Sequence, residues 1–135
     1  MSITSRAAAL AAVAALALAG CSTDESMDLE GRTFTATEVR GHDLVEGSTV
    51  TLTFEDGQVS ANAGCNTLFG AASWDSGTLD VTEELASTLM ACDDALMDQD
   101  EWLGELLTSS PALSLAGTTL TLGDDSAGLT LTEEE

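Results

Sequence analysis

The chain has no lysine and no tyrosine, one histidine and one proline, and three arginines against 24 Asp and Glu. The resulting formal charge of −21 over 135 residues repels phosphate backbones and anionic lipid headgroups, which excludes nucleic acid as a partner. One histidine (His42) and no tyrosine leave few groups that exchange protons near neutral pH, which argues against most acid–base enzymes. Hydrophobic residues nevertheless make up 44%, enough for one packed core, and the length suits a single domain. The acidity therefore does not imply disorder.

Long apolar runs are scarce too. Ala7–Gly20 has no charge for fourteen residues, short of the roughly 20 that cross a bilayer as a helix. Preceded by Met1–Arg6, it reads as the apolar stretch of a secretory signal. The run closes on Leu18-Ala19-Gly20-Cys21, which resembles the lipobox of bacterial lipoproteins. That resemblance implies cleavage before Cys21 and a diacylglyceryl group on its thiol. Two acyl chains on one residue hold a membrane firmly where a single chain is marginal. The plainer alternative is an ordinary signal peptide in which Cys21 follows a small-residue site. On the lipoprotein reading residues 1–20 are the signal, 21–31 a lipidated, flexible acidic tether, and 32–135 the domain. The expected place is the outer face of the cytoplasmic membrane or the cell envelope. The expected partners are the membrane and an unidentified envelope protein, with the chain itself a monomer.

Within the domain, Ser48–Phe54 alternates strictly: Val50, Leu52 and Phe54 face one way and three threonines the other. Period two with β-branched residues predicts a half-buried strand. Asp56-Gly57 follows as a hairpin signal, and Val59, Ala61 and Ala63 continue the alternation. Further strands are expected over Thr33–Val39 with Phe34 and Ala36 inward, Asn66–Trp74 and Thr78–Val81. The pairs Leu113/Leu115, Leu120/Leu122 and Leu129/Leu131 mark three more.

Asp93–Ser109 departs from this pattern. Ala95, Leu96, Gln99, Trp102, Leu103, Leu106 and Leu107 share one helical stripe, with Asp98, Asp100, Glu101 and Glu105 opposite. Asp93 or Asp94 is the expected cap, and Pro111 bars continuation. The fold expected is mainly β: a small antiparallel barrel or roll of about eight strands, lipocalin-like, with one helix packed at an end.

Cys65 and Cys92 remain. In an oxidising compartment two cysteines in a small domain are most simply a disulfide, closing a loop of roughly 27 residues. Two buried free thiols, or a metal or redox pair, are the alternatives. Around these cysteines the chain resembles the META domain, the HslJ-like family of heat-shock-associated envelope lipoproteins. Ala63-Gly64-Cys65-Asn66-Thr67-Leu68-Phe69-Gly70 is similar to the family's Gly-Cys-Asn-x-x-x-Gly signature, and Thr88-Leu89-Met90-Ala91-Cys92 to its Thr-x-Met-x-Cys segment. Phe34 stands where many members carry tryptophan, and Ala72 where an aromatic often stands. The resemblance implies a compact β-rich fold without established catalytic residues.

Each signature residue has a structural reading. Gly64 permits a turn or bulge before the cysteine, Asn66 satisfies backbone groups at that irregularity, and Gly70 leaves room beneath an aromatic such as Trp74. The functional alternative places Asn66, Thr88 and the nearby backbone at a ligand site on the barrel mouth. No nucleophile elbow, phosphate loop or zinc-protease motif occurs. Acid pairs such as Glu83-Glu84 follow from composition, and Asp93–Glu101 lacks the glycine and ligand spacing of a calcium loop. His42 reads as a solvated loop residue. No catalytic residue, metal or cofactor is therefore expected. The expected function is a lipid-anchored envelope protein with a structural, stress-protective or protein-interaction role. The alternative is a lipocalin-like carrier of a small apolar ligand, which needs a cavity where Val50, Leu52, Val59, Leu120 and Leu129 point inward.

Overall fold

The structure, a computed structural model, describes residues 27–134. Its strands are β1 (Arg32–Arg40), β2 (Thr51–Glu55), β3 (Gln58–Asn62), β4 (Thr67–Ser73), β5 (Asp80–Val81) and β6 (Ala86–Ser87). After helix α1 (Asp94–Thr108) come β7 (Leu113–Ala116), β8 (Thr119–Gly123) and β9 (Gly128–Glu133). Eight strands follow one another in the order β5-β4-β3-β2-β1-β9-β8-β7, with β6 added to β4. The sheet curls into a half-barrel, mainly β as expected. Its two ends meet through the Thr78–Ala112 bridge, where the Leu79 N–H donates to the Pro111 carbonyl at 2.9 Å.

Alternation in the sequence becomes alternation in burial. Leu52 pairs with Ala61 and Phe54 with Val59 across the β2–β3 hairpin, and all four are buried. Asp56 and Gly57 at its tip both take positive φ (53° and 71°), the backbone that a two-residue hairpin needs. Leu120 opposite Leu131 and Leu122 opposite Leu129 repeat the arrangement in β8–β9. Phe54 sits edge-on to Phe34 at 6.0 Å and to Trp74 at 5.2 Å between ring centroids, the orientation that matches ring edges to faces. A bulge in β1 between Ala36 and Glu38 shifts its register on β9, so Ala36 and Val39 both pack on the core.

Three local expectations need correcting. Leu29, which composition assigns to the tether, is fully buried and Met27 packs beside it; one isolated leucine among acids carries no periodicity to announce it. Along α1, Asp100 is 93% buried and Ala95 exposed, because the helix turns its Gln99–Leu103–Leu107 face inward and takes Asp100 along. Asp93 occupies the N-cap position without a side-chain cap bond. Asp94 still places an acid in the first turn, where it complements the helix dipole. The sequence also missed β6, whose two residues are too few to show a period.

Candidate functional site

Gly64 adopts φ +106°, a conformation that L side chains rarely reach, and so reverses the chain between β3 and β4. A Cβ there would lie 3.2 Å from both Leu96 and Ser48. This turn delivers Cys65 to Cys92, and the two form a disulfide across 27 positions of sequence with Cα atoms 6.1 Å apart. The bridge joins the entrance of β4 to the last residue before the helix cap.

Asn66 is buried and works on the same segment. Its Oδ1 accepts the Met90 N–H at 2.7 Å and the Thr88 hydroxyl at 3.0 Å, while its Nδ2 donates to the Met90 carbonyl at 3.3 Å. Thr88 in turn accepts the Thr67 N–H through its hydroxyl at 3.0 Å, and its own N–H donates to the Thr67 carbonyl at 3.1 Å. Leu85–Cys92 thus becomes a strap laid along β4. Of Met90 it is the backbone that is held, and the side chain stands exposed.

Gly70 belongs to this strap as well. A Cβ at Gly70 would come within 3.1 Å of the Leu85 side chain, so the space it leaves is for Leu85 rather than for Trp74. Trp74 packs instead against Phe54. Gly64, Cys65, Asn66, Gly70, Thr88, Met90 and Cys92 therefore gather around one feature. Cys21 lies outside the described residues.

Two helix residues complete the clamp, and neither stood out in the sequence. Gln99 accepts the Val45 N–H at 2.9 Å and donates to the Ala63 carbonyl at 2.6 Å and the Ser48 hydroxyl at 2.9 Å. Asp100 accepts the Asn66 N–H at 3.0 Å through Oδ2, while its Oδ1 is buried without a hydrogen-bond partner. The one available signal was a glutamine inside an apolar stripe. Stripe membership alone does not say what its amide meets.

Between strap and helix runs an open groove of about 760 Å³, with Leu68, Leu85, Leu89, Met90 and Met97 in its walls and Asp100 among them. Its Leu68 is on the core-facing side of β4, opposite Ala61. On the opposite flank of α1, the His42 ring stacks on Trp102 at 5.0 Å between centroids, so this histidine is half-buried against the helix rather than freely solvated.

Both arginines of the described region serve the C-terminal strand. Arg32 pairs with Glu133, and this hydrogen bond holds the carboxyl below its ordinary range and raises the guanidinium. Arg40 donates to the Asp124 carbonyl at 2.9 Å and to the Thr130 hydroxyl at 2.8 Å. The Asp124 carboxyl is itself lowered, first by the Ser126 hydroxyl and then by the Ala127 and Ser126 N–H groups. Among the described residues no three His, Cys, Asp or Glu side chains are grouped to hold a metal ion.

No curated protein matches the chain. Two solved structures resemble it, both determined by NMR. One aligns with a TM-score of 0.62 and 24% identity, over 77% of this chain and 90% of its own. The other, from Burkholderia xenovorans, gives 0.61 and 20% identity, over 78% and 83%. These likenesses are of fold. A family model described as the META domain matches residues 27–135, from Met27, two residues ahead of the buried Leu29, through the strap, the helix and the closing strands. With the Gly-Cys-Asn turn, the Thr-x-Met-x-Cys strap and the disulfide between them all in place, this chain belongs to the META domain family.

Proposed function

We propose that the chain is a lipid-anchored, non-catalytic protein of the cell envelope whose META domain serves a structural, stress-protective or protein-interaction role. The observation that carries this reading is how the signature is used. Asn66, Thr88 and the Met90 backbone spend their polar groups on one another, and Cys65 is joined to Cys92. A hydrogen-bonded clamp and a crosslink build a durable domain and leave those groups no free chemistry.

The lipocalin-like alternative needs space inside the sheet. Val50, Leu52, Val59, Leu120 and Leu129 are each fully buried in the core cluster, which favours a scaffold over an interior carrier. The anchor rests on Leu18-Ala19-Gly20-Cys21. No helix among the described residues is long and apolar enough to cross a membrane, so on this reading the acyl chains are the attachment. Fractionating cells that express the wild type or Cys21→Ser tests it: the wild type should pellet with membranes and the variant should not. Equal membrane retention of both would remove the anchor from the proposal.

A further inference from the structure

The groove between strap and helix exposes side chains that a domain of this size would ordinarily cover. Leu89 is 96% exposed, Met90 59% and Met97 41%, and all three line the same groove. Methionine and leucine with freedom to move adapt to apolar shapes that are not known in advance. The rim carries Glu84, Asp98, Glu101 and Glu105, and no basic residue lines the groove. In the wall, Asp100 is 93% buried with one carboxylate oxygen lacking any donor. A buried carboxylate oxygen without a donor is costly, and a donor delivered to it relieves that cost.

Apolar walls, an acidic rim and an under-satisfied carboxylate call for an occupant that is apolar along one face and cationic along the other. We propose that this groove seats a basic amphipathic peptide segment, its leucine-type side chains on Met90, Met97 and Leu68 and a lysine or arginine directed to Asp100. The groove is open to solvent, as the docking of an amphipathic helix in an apolar groove requires. The proposal deepens the protein-interaction reading above and rests on it. It names the chemistry of the partner.

The test is fluorescence anisotropy with the full chain in detergent-free buffer. The probe is a labelled leucine–lysine peptide with amphipathic helical spacing; its glutamate-for-lysine counterpart and a scrambled peptide of the same composition serve as controls. Saturable binding of the amphipathic basic peptide alone is expected. Asp100→Asn should weaken it by about tenfold, and Glu101→Gln with Glu105→Gln, which are exposed, should weaken it without disturbing the fold. The decisive variant is Leu89→Glu with Met97→Glu. It adds negative charge, so attraction to the acidic surface in general would tighten binding, whereas a seat in the groove loses it by at least about tenfold. Tighter binding by that variant, equal binding of the scrambled peptide, or a chain dimeric through this face overturns the proposal. Each leaves the Cys21→Ser fractionation untouched, so failure of the groove and failure of the anchor read separately.

Discussion

Asn66 pairs its side-chain amide with the backbone of Met90, accepting its N–H at 2.7 Å and donating to its carbonyl at 3.3 Å. The two groups stand in for one rung of a β-ladder. At Met90 the strap is thereby held to β4 by a side chain, where backbone pairing has run out after Phe69–Ala86, Leu68–Ser87 and the Thr88–Thr67 hydrogen bond. Asn66→Ala leaves the Met90 N–H and the Thr88 hydroxyl without this acceptor. A loss of about 2–4 kcal/mol is expected, read as a lower urea midpoint at unchanged slope. An unchanged midpoint would show that the strap holds without its amide.

Reduction of Cys65–Cys92 should cost about 3–4 kcal/mol, as closing a loop of this length implies. Because the bridge and Asn66 restrain the same strap, the two losses should not add. Once the disulfide is reduced, Asn66→Ala is expected to cost visibly less than it does in the oxidised chain. Strict additivity in the double-mutant cycle would separate the two restraints. Unfolded, air-purified chain with its signal removed should show one reactive thiol at most, that of Cys21.

Gly64 and Gly104 should respond in opposite directions to alanine. At Gly64 a φ of +106° and a Cβ 3.2 Å from two neighbours oppose the change, so Gly64→Ala should destabilise by at least about 1 kcal/mol. Gly104 lies inside α1, where a Cβ would meet Leu68 at an ordinary 3.6 Å. Gly104→Ala should therefore raise stability by about 0.5–1 kcal/mol. Thermal melts of both variants against the wild type decide the pair of signs.

Acid should remove what Asp124 and Glu133 contribute. Both carboxyls lie below their ordinary range in the folded chain, Asp124 through the Ser126 hydroxyl and Glu133 through Arg32. As pH falls, the unfolded state takes up these protons first. Their stabilisation is thus present above the unfolded values and is lost as pH drops through the folded ones. The stability gap between wild type and Asp124→Ala should be constant near neutral pH and close in strong acid. A gap that persists unchanged in acid would contradict the assigned hydrogen bonds.

Salt should stabilise the domain. A formal charge of −21 with three basic residues in the chain means that self-repulsion opposes compactness. Raising salt from about 0.01 M to 1 M shortens the screening length from about 30 Å to about 3 Å. The melting temperature should rise across that range and then level off. A flat response would mean that the carboxylates are too widely spaced to repel.

Much of the fold was legible in the sequence because its strands are half-buried and antiparallel. Val50, Leu52 and Phe54, then Val59 and Ala61, then the C-terminal leucine pairs, all alternate with a period that only one face of a sheet satisfies. The helix was legible in extent for the same reason. Its facing was not: Asp100 sits one position from Gln99, and a wheel drawn from composition places any acid outward. Leu29 and β6 escaped because one or two residues have no period.

The sequence by itself determined the acidic surface, the signal-like first twenty residues with Cys21 after them, the antiparallel strands and the family signature, since each is a property of residues close along the chain. Only the tertiary structure decided what the signature is for. Asn66 and Met90, Cys65 and Cys92, and Asn66 and Asp100 lie 24 to 34 positions apart, and no local pattern records which distant backbone group a buried amide will meet. The groove likewise exists because the strap and the helix are held apart across Leu68. Its walls come from three elements, and its charge and shape emerge only when the chain closes on itself.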